Sequence, residues 1–292
     1  MHFDRDTRNL TDDIFAVANK GAKIGNVLQS AAYWNGKTYL MVNNAHRIYV
    51  VNPQTFAFVD SVKGINQPRY FQGISAEKAA VSNWTKGVSF INLATNTLGS
   101  SVTTGNGADK MLLDANTLWV LNSGGFGKDS TITLVDVLTE KVIKTVKTAP
   151  GPNSIVKAGS SIWVLCGSYW DQSGTGTLLE YRFEQVAAAY KVPKYASNLM
   201  LSNDGKDLFF LAGNTVYRKT TLVPAEEPEA FINRTFASPY ALDQDPLTGK
   251  LLMADAGDFS SGSKVFFINP DTKLVSDSLR TGIGTNSFLF GN

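Results

Sequence analysis

The chain has 292 residues, 43% of them hydrophobic and 18% charged, with a formal net charge of +2. Charge so near balance, with Lys and Arg scattered along the chain, argues against a polyanion partner such as nucleic acid. A single cysteine, Cys166, and two histidines, His2 and His46, leave no disulfide framework and no Cys/His zinc site, and no apolar run reaches the ~18 residues of a membrane span.

The chain opens on Met1-His2-Phe3-Asp4-Arg5-Asp6, polar from the outset and unlike an export signal. Residues 3–7 read as the end of a strand closed by an Asx turn, and residues 9–15 as the strand that follows. Six repeats then run from residue 29 to residue 281. Each carries a short apolar strand ending in a small or polar residue, at 38–43, 78–83, 117–122, 161–166, 207–212 and 250–255. The equivalent positions Leu40, Ala80, Trp119, Trp163, Phe209 and Leu252 are 40, 39, 44, 46 and 43 residues apart. A period of about 40–45 residues with several strands per unit marks propeller blades.

Every repeat shares one grammar. A first strand precedes the apolar one, and a turn rich in Gly, Asn or Asp separates them. A third strand ends in Asn/Asp-x-x-Thr, seen as Asn52-Pro53-Gln54-Thr55, Asn92-Leu93-Ala94-Thr95, Asp136-Val137-Leu138-Thr139 and Asn269-Pro270-Asp271-Thr272. The Asx side chain closes such a turn by accepting backbone N–H groups two residues on. The fourth strand is polar and bears lysines, as an exposed edge requires. Residues 184–190 have some helical character but fall where a fourth strand belongs, and are read as strand.

At the C-terminal end, residues 287–290 match a first strand. Joined to the N-terminal fragments they make a seventh blade, so the expected fold is an all-β, seven-bladed β-propeller in one domain spanning residues 1–292. The seventh blade lacks its second strand in this sequence. The expectation is a gene that extends upstream of Met1, supplying that strand and an export signal before it.

Particular segments resemble the YncE-like (YVTN-repeat) surface propellers of Bacteroidetes: Asn26-Val27-Leu28-Gln29-Ser30 with Val42-Asn43-Asn44, Pro68-Arg69-Tyr70-Phe71, the run Leu121 to Gly127, Trp163-Val164-Leu165-Cys166, Met253-Ala254-Asp255-Ala256 and Val265-Phe266-Phe267. The likeness covers essentially the whole chain. Chains of that family open on a strand resembling Leu-Asn-Glu-Gly-Asn, absent here. The resemblance implies export to the cell surface or periplasm, often as a lipoprotein. Its BtuG-like members capture cobalamin for an outer-membrane transporter, so a corrinoid ligand and a transporter partner are what the likeness implies.

In a propeller, the loops between second and third strands and those between blades converge on one face. The first set offers Asn44, Trp84, Phe126, Tyr169, Trp170, Asp258 and Phe259; the second offers Arg69, Tyr70, Asp109, Asn153 and Tyr240. Aromatics with amides on rigid mounts suit a large polar organic ligand, the rings stacking on its flat parts. Asn43, Asn83 and Asn122 recur in register and read as architectural, and the glycines near Phe126 as positive-φ positions. Asp171, Asp255 and Asp258 match no calcium loop and read as turn caps. Cys166, in an apolar run, reads as a small buried hydrophobe.

His46 reads as a solvated loop residue, a Ser-His-Asp triad lacks its histidine, and the Gly-rich segments at 124–127 and 174–176 lack the strand–helix setting of a phosphate loop. The expected function is therefore non-enzymatic ligand binding, with no metal and no cofactor. Two alternatives stay open: a cell-envelope scaffold for protein partners, and a metal-dependent hydrolase of the lactonase type.

Overall fold

The computed structural model of the chain describes every residue except 86, 172, 173, 233 and 292. Six four-stranded sheets follow one another along the sequence, each with its strands in chain order, as β-propeller blades are built. Their second strands are Lys37–Val42, Lys78–Asn83, Thr117–Asn122, Ser161–Cys166, Asp207–Ala212 and Leu251–Asp255. All six positions used to measure the period fall in these strands. Residues 184–190 belong to the strand Gln185–Pro193, as their place in the repeat requires. Among the described residues no helix is long and apolar enough to cross a membrane.

The second strands are almost wholly buried, and the second and fifth sheets pack a neighbouring sheet on each face. The chain divides into two compact units, one built mainly from Met1–Val120 and Thr133–Lys144, the other from Leu121–Ile132 and Thr145–Phe290. Within the first, Tyr39, Met41, Ile48 and Val50 pack on Ala79, Val81 and Ile91 of the next sheet. The alternate residues Ala80, Val88 and Phe90 pack on Leu118, Val120 and Val135 of the sheet after it. Within the second, Trp163, Leu165 and Leu178 meet Leu208 and Phe210, while Phe209, Leu211 and Val216 meet Leu251, Met253 and Phe266. A fully buried Leu or Phe contributes about 2 kcal/mol relative to exposure, so these faces carry most of the stability.

The expected seventh four-stranded blade is not formed; among the described residues there are six. Its third and fourth strands are reduced to a two-residue ladder, His2–Phe3 against Leu10–Thr11. The Asx turn between them is present: Asp4 Oδ1 accepts from Thr7 N at 2.9 Å. The remainder of the expected fourth strand is the short helix Ile14–Ala18, whose Phe15 is buried with Leu40 and Val51. Residues 287–290 form no strand. Phe288 and Phe290 pack instead on Ala241, Leu252, Ala254 and Val265 of the sixth sheet. A short isolated ladder is marginal in water, whereas an aromatic ring laid on an existing sheet face is stabilised by burial.

The fifth sheet departs from the pattern in its last strand, which is only Glu229–Ala230. The segment before it is tied down by Lys219, a buried lysine whose Nζ donates to Thr220 O at 2.6 Å and Val223 O at 2.8 Å. Desolvation lowers its pKa. No polar-edge rule foretells a lysine turned inward to satisfy carbonyls.

All four Asx turns form. Asn52 Oδ1 accepts from Gln54 N and Thr55 N at 3.0 and 2.9 Å, Asn92 from Ala94 N and Thr95 N, Asp136 from Leu138 N and Thr139 N at 2.7 and 3.0 Å, and Asn269 from Asp271 N and Thr272 N. Asp136 is the charged version of the motif, and the N–H groups of Thr139 and Leu138 hold its carboxyl below the usual range. A depressed folded-state pKa gives stability that is present above the unfolded carboxylate pKa and is lost as pH falls through the folded value. Asp136→Asn is therefore expected to fold normally near neutrality and to lose less stability between pH 5 and pH 2 than the parent, as melting curves across that range will show. Asn52→Ala leaves two N–H groups to water and is expected to cost about 1 kcal/mol, a melting temperature about 2 °C lower.

Candidate functional site

One local device recurs at the start of the first strands. Pro68 pairs with Asn83 but Phe71 pairs with Val81, so Arg69 and Tyr70 on the first strand oppose Ser82 alone on the second. The same slip of one residue occurs at Leu28/Ser30 against Val42/Met41 and at Pro152/Ser154 against Cys166/Leu165. It recurs at Ser197/Met200 and at Pro239/Ala241. A β-bulge leaves a residue out of the ladder and re-aims its side chain. Gln29, Arg69, Asn153, Asn198 and Tyr240 are the second residues of their strands and lie in these bulges. Asp109 occupies the second position of Ala108–Asp114. The sequence places Arg69, Tyr70, Asp109, Asn153 and Tyr240 in inter-blade loops; they are strand residues instead, fixed by sheet pairing on one side. Gln29 and Asn198 escape the sequence reading, although their spacing of about one repeat from Arg69 and Asn153 marks them.

In the first unit these positions connect side chain to side chain. Arg69 Nε donates to Asp109 Oδ2 at 3.1 Å, and Arg69 Nη1 donates to Gln29 Oε1 at 3.1 Å. Trp84 Nε1 donates to the same Asp109 oxygen at 3.1 Å. The Arg69 guanidinium lies 3.8 Å from the Trp84 ring centroid and 5.7 Å from that of Tyr70. Gln29 Nε2 donates to the Tyr70 hydroxyl at 3.3 Å. The Arg69 and Asp109 side chains are only 12% and 9% exposed, which makes the pair strongly coupled. Asn44 lies apart, exposed in the 3₁₀ turn Asn43–Ala45. His46 ends that turn, its Nδ1 accepting from Gln67 N at 3.1 Å.

The second unit is built differently, with amides inside and rings outside. Asn153 Nδ2 donates to Ala196 O at 2.8 Å and lies 3.5 Å from the Tyr169 hydroxyl. Gly167 makes this possible: a Cβ there would meet Tyr169, Ala196 O and Asn153 Nδ2 at 2.7–2.8 Å. Asn198 Nδ2 donates to Tyr240 O at 3.0 Å. Tyr169 and Tyr195 have ring centroids 5.8 Å apart. Tyr240 and Phe259 meet edge to face at 5.0 Å. All four rings are exposed, at 47%, 57%, 42% and 50%. The sequence reading includes three of them and misses Tyr195. Phe126 is exposed at the tip of its loop, where Gly124 and Gly125 take φ +100° and +52°. Trp170 lies beneath Lys128, whose Nζ is 5.6 Å from the ring centroid.

The acidic side chains act as caps. Asp258 Oδ1 accepts from Ser260 N and Ser261 N at 2.9 and 2.8 Å, which depresses its pKa. Asp255 accepts from Ala237 N, Ser238 N and Gly257 N. The recurring asparagines serve the frame: Asn122 Nδ2 donates to Thr131 Oγ1, Asn83 Oδ1 accepts from Thr85 Oγ1, and Asn43 Nδ2 reaches Pro68 O. Among the described residues no group of three or more His, Cys, Asp or Glu is gathered to hold a metal ion. Cys166 is fully buried beside Thr148, and burial pushes its thiol up to about 12.

Fold and site together define an all-β propeller whose first-strand bulges and second-to-third loops carry clustered polar and aromatic side chains. Residues 1–277 match the family described as domain of unknown function DUF5074, and the chain belongs to that family. Solved structures of like fold include Kuenenia stuttgartiensis hydrazine synthase, at 15% identity and TM-score 0.69 over 92% of this chain and 91% of that one. A quinonprotein alcohol dehydrogenase-like protein from Bacteroides thetaiotaomicron matches at 12% identity and TM-score 0.73, over 96% and 73% of the two chains. The computationally designed Ika8 protein matches at 8% and 0.64, over 90% and 78%. At such identities the likeness concerns fold alone. The curated proteins contain no match.

Asp109→Ala removes the shared acceptor of Arg69 and Trp84 and leaves a largely enclosed guanidinium without its carboxylate. Urea denaturation is expected to show a loss of about 3 kcal/mol or more. Cys166, by contrast, is expected to react with a thiol reagent only as fast as the native protein unfolds.

Proposed function

We propose that the chain is a non-enzymatic ligand-binding propeller, exported and acting at the cell surface or in the periplasm. The observation that carries this reading is the group Tyr169, Tyr195, Tyr240 and Phe259, four exposed rings mounted on bulged strand ends and on loops beside them. Soluble proteins seldom leave clustered aromatic surface open without a use for it. Tyr169 and Tyr195 contact one another and Tyr240 contacts Phe259, while the Asn198 amide ties down the Tyr240 backbone carbonyl. Such preorganised rings bind flat faces without a large ordering cost.

The YncE-like and BtuG-like resemblance supports a corrinoid as the ligand and an outer-membrane transporter as the receiving partner. A corrinoid offers a broad ring edged with amide groups, which fits aromatic faces flanked by Asn153 and Asn198.

Calorimetric titration with cyanocobalamin tests the reading. A saturable heat is expected, weakened about tenfold by Tyr240→Ala or Phe259→Ala. No heat, together with an unchanged melting temperature at high ligand concentration, would remove the corrinoid assignment.

A further inference from the structure

We infer that Arg69, in the first unit, is the anchor of a binding site for a small molecule carrying a carboxylate. The guanidinium is held on three sides. Its Cζ lies over the Trp84 ring, 3.8 Å from the centroid, Asp109 takes Nε and Gln29 takes one Nη1 hydrogen. Three fixed contacts in three directions remove the rotational freedom that an arginine normally loses on binding. Nη2 has no hydrogen-bond partner among the described residues, so its donors and the second Nη1 hydrogen form the unclaimed edge of the fork. A planar two-oxygen acceptor matches that edge in a way a point anion does not.

Asp109 offsets the charge of Arg69. Lys110 follows it on the same strand, with its Nζ 5.9 Å from the Tyr70 ring centroid. Asp109 does not compete for a ligand's donors. Oδ2 serves Arg69 and Trp84, Oδ1 accepts from Lys110 N at 3.1 Å, and the residue is 6% exposed. The partly buried Tyr70 and Trp84 rings supply apolar walls on which the body of a small organic acid rests. A purely structural Arg–Asp pair needs neither the amide of Gln29 on its far side nor an indole fixing the plane of the fork.

The test uses the unaltered protein. Phenylglyoxal labelling of arginines is followed residue by residue by mass spectrometry, in citrate and in sodium chloride of equal ionic strength. Arg69 is expected to label in chloride and to slow by at least about threefold as citrate is raised past its midpoint, because labelling follows the unliganded fraction. Arg47 and Arg218, outside the site, are expected to label alike in both salts. Equal labelling of Arg69 in the two salts overturns the proposal, and so does an Arg69 that never labels, since its free edge would then be closed. As a second readout, citrate is expected to raise the melting temperature of the parent more than that of Arg69→Gln. Equal shifts would mark a general salt effect and count against the site. Neither arm involves the aromatic rings of the second unit, so this proposal and the corrinoid reading fail independently.

Discussion

The constraint on which the rest depends is the burial of both faces of a sheet, as in the second and fifth sheets. A strand such as Lys78–Asn83 sends Ala79 and Val81 to one neighbour and Ala80 to the other, which leaves no sheet face for polar chemistry. Function is confined to the ends of strands and the loops between them. The one-residue bulge near the start of the first strand is what makes those ends useful. It frees a side chain from the ladder and turns it outward, while the residues on either side stay paired.

The two units use this device in different ways. In the first, the bulge residues Gln29 and Arg69 close with Asp109 and Trp84 into a network of hydrogen bonds and one stacked cation. In the second, Asn153 and Asn198 satisfy backbone carbonyls and leave the rings of Tyr169, Tyr195, Tyr240 and Phe259 in contact with solvent. A rigid sheet with a variable residue at one fixed position lets surface chemistry change while packing stays the same.

Much of this was legible in the sequence. The period of the second strands, the Asx turns at Asn52, Asn92, Asp136 and Asn269, the capping role of Asp258 and the inert setting of Cys166 all follow from local rules. Those rules depend on neighbours within a few residues. The count of sheets was not legible, because whether residues 287–290 pair or pack depends on distant partners. Phe288 and Phe290 found a better one in the face of the sixth sheet. The bulges were hidden for the same reason: a register slip is a property of two strands, and Gln29 and Asn198 look like ordinary strand residues in one. Tyr195 lies in an inter-blade loop, between Gln185–Pro193 and Ser197–Leu201; nothing in its immediate neighbours tells an exposed ring there from a packed one.

The account turns on the claim that the bulged strand ends form the binding surface, whatever the natural ligand is. Crystals soaked with a library of small planar heteroaromatic fragments test this most directly. The account predicts that fragments collect on Tyr169 and Tyr195 and on Tyr240 and Phe259, stacked on the exposed rings. Fragments settling instead on other exposed apolar residues, such as Phe58 and Val59 on an outer strand or Phe183 at a turn, with the four rings bare, would contradict it.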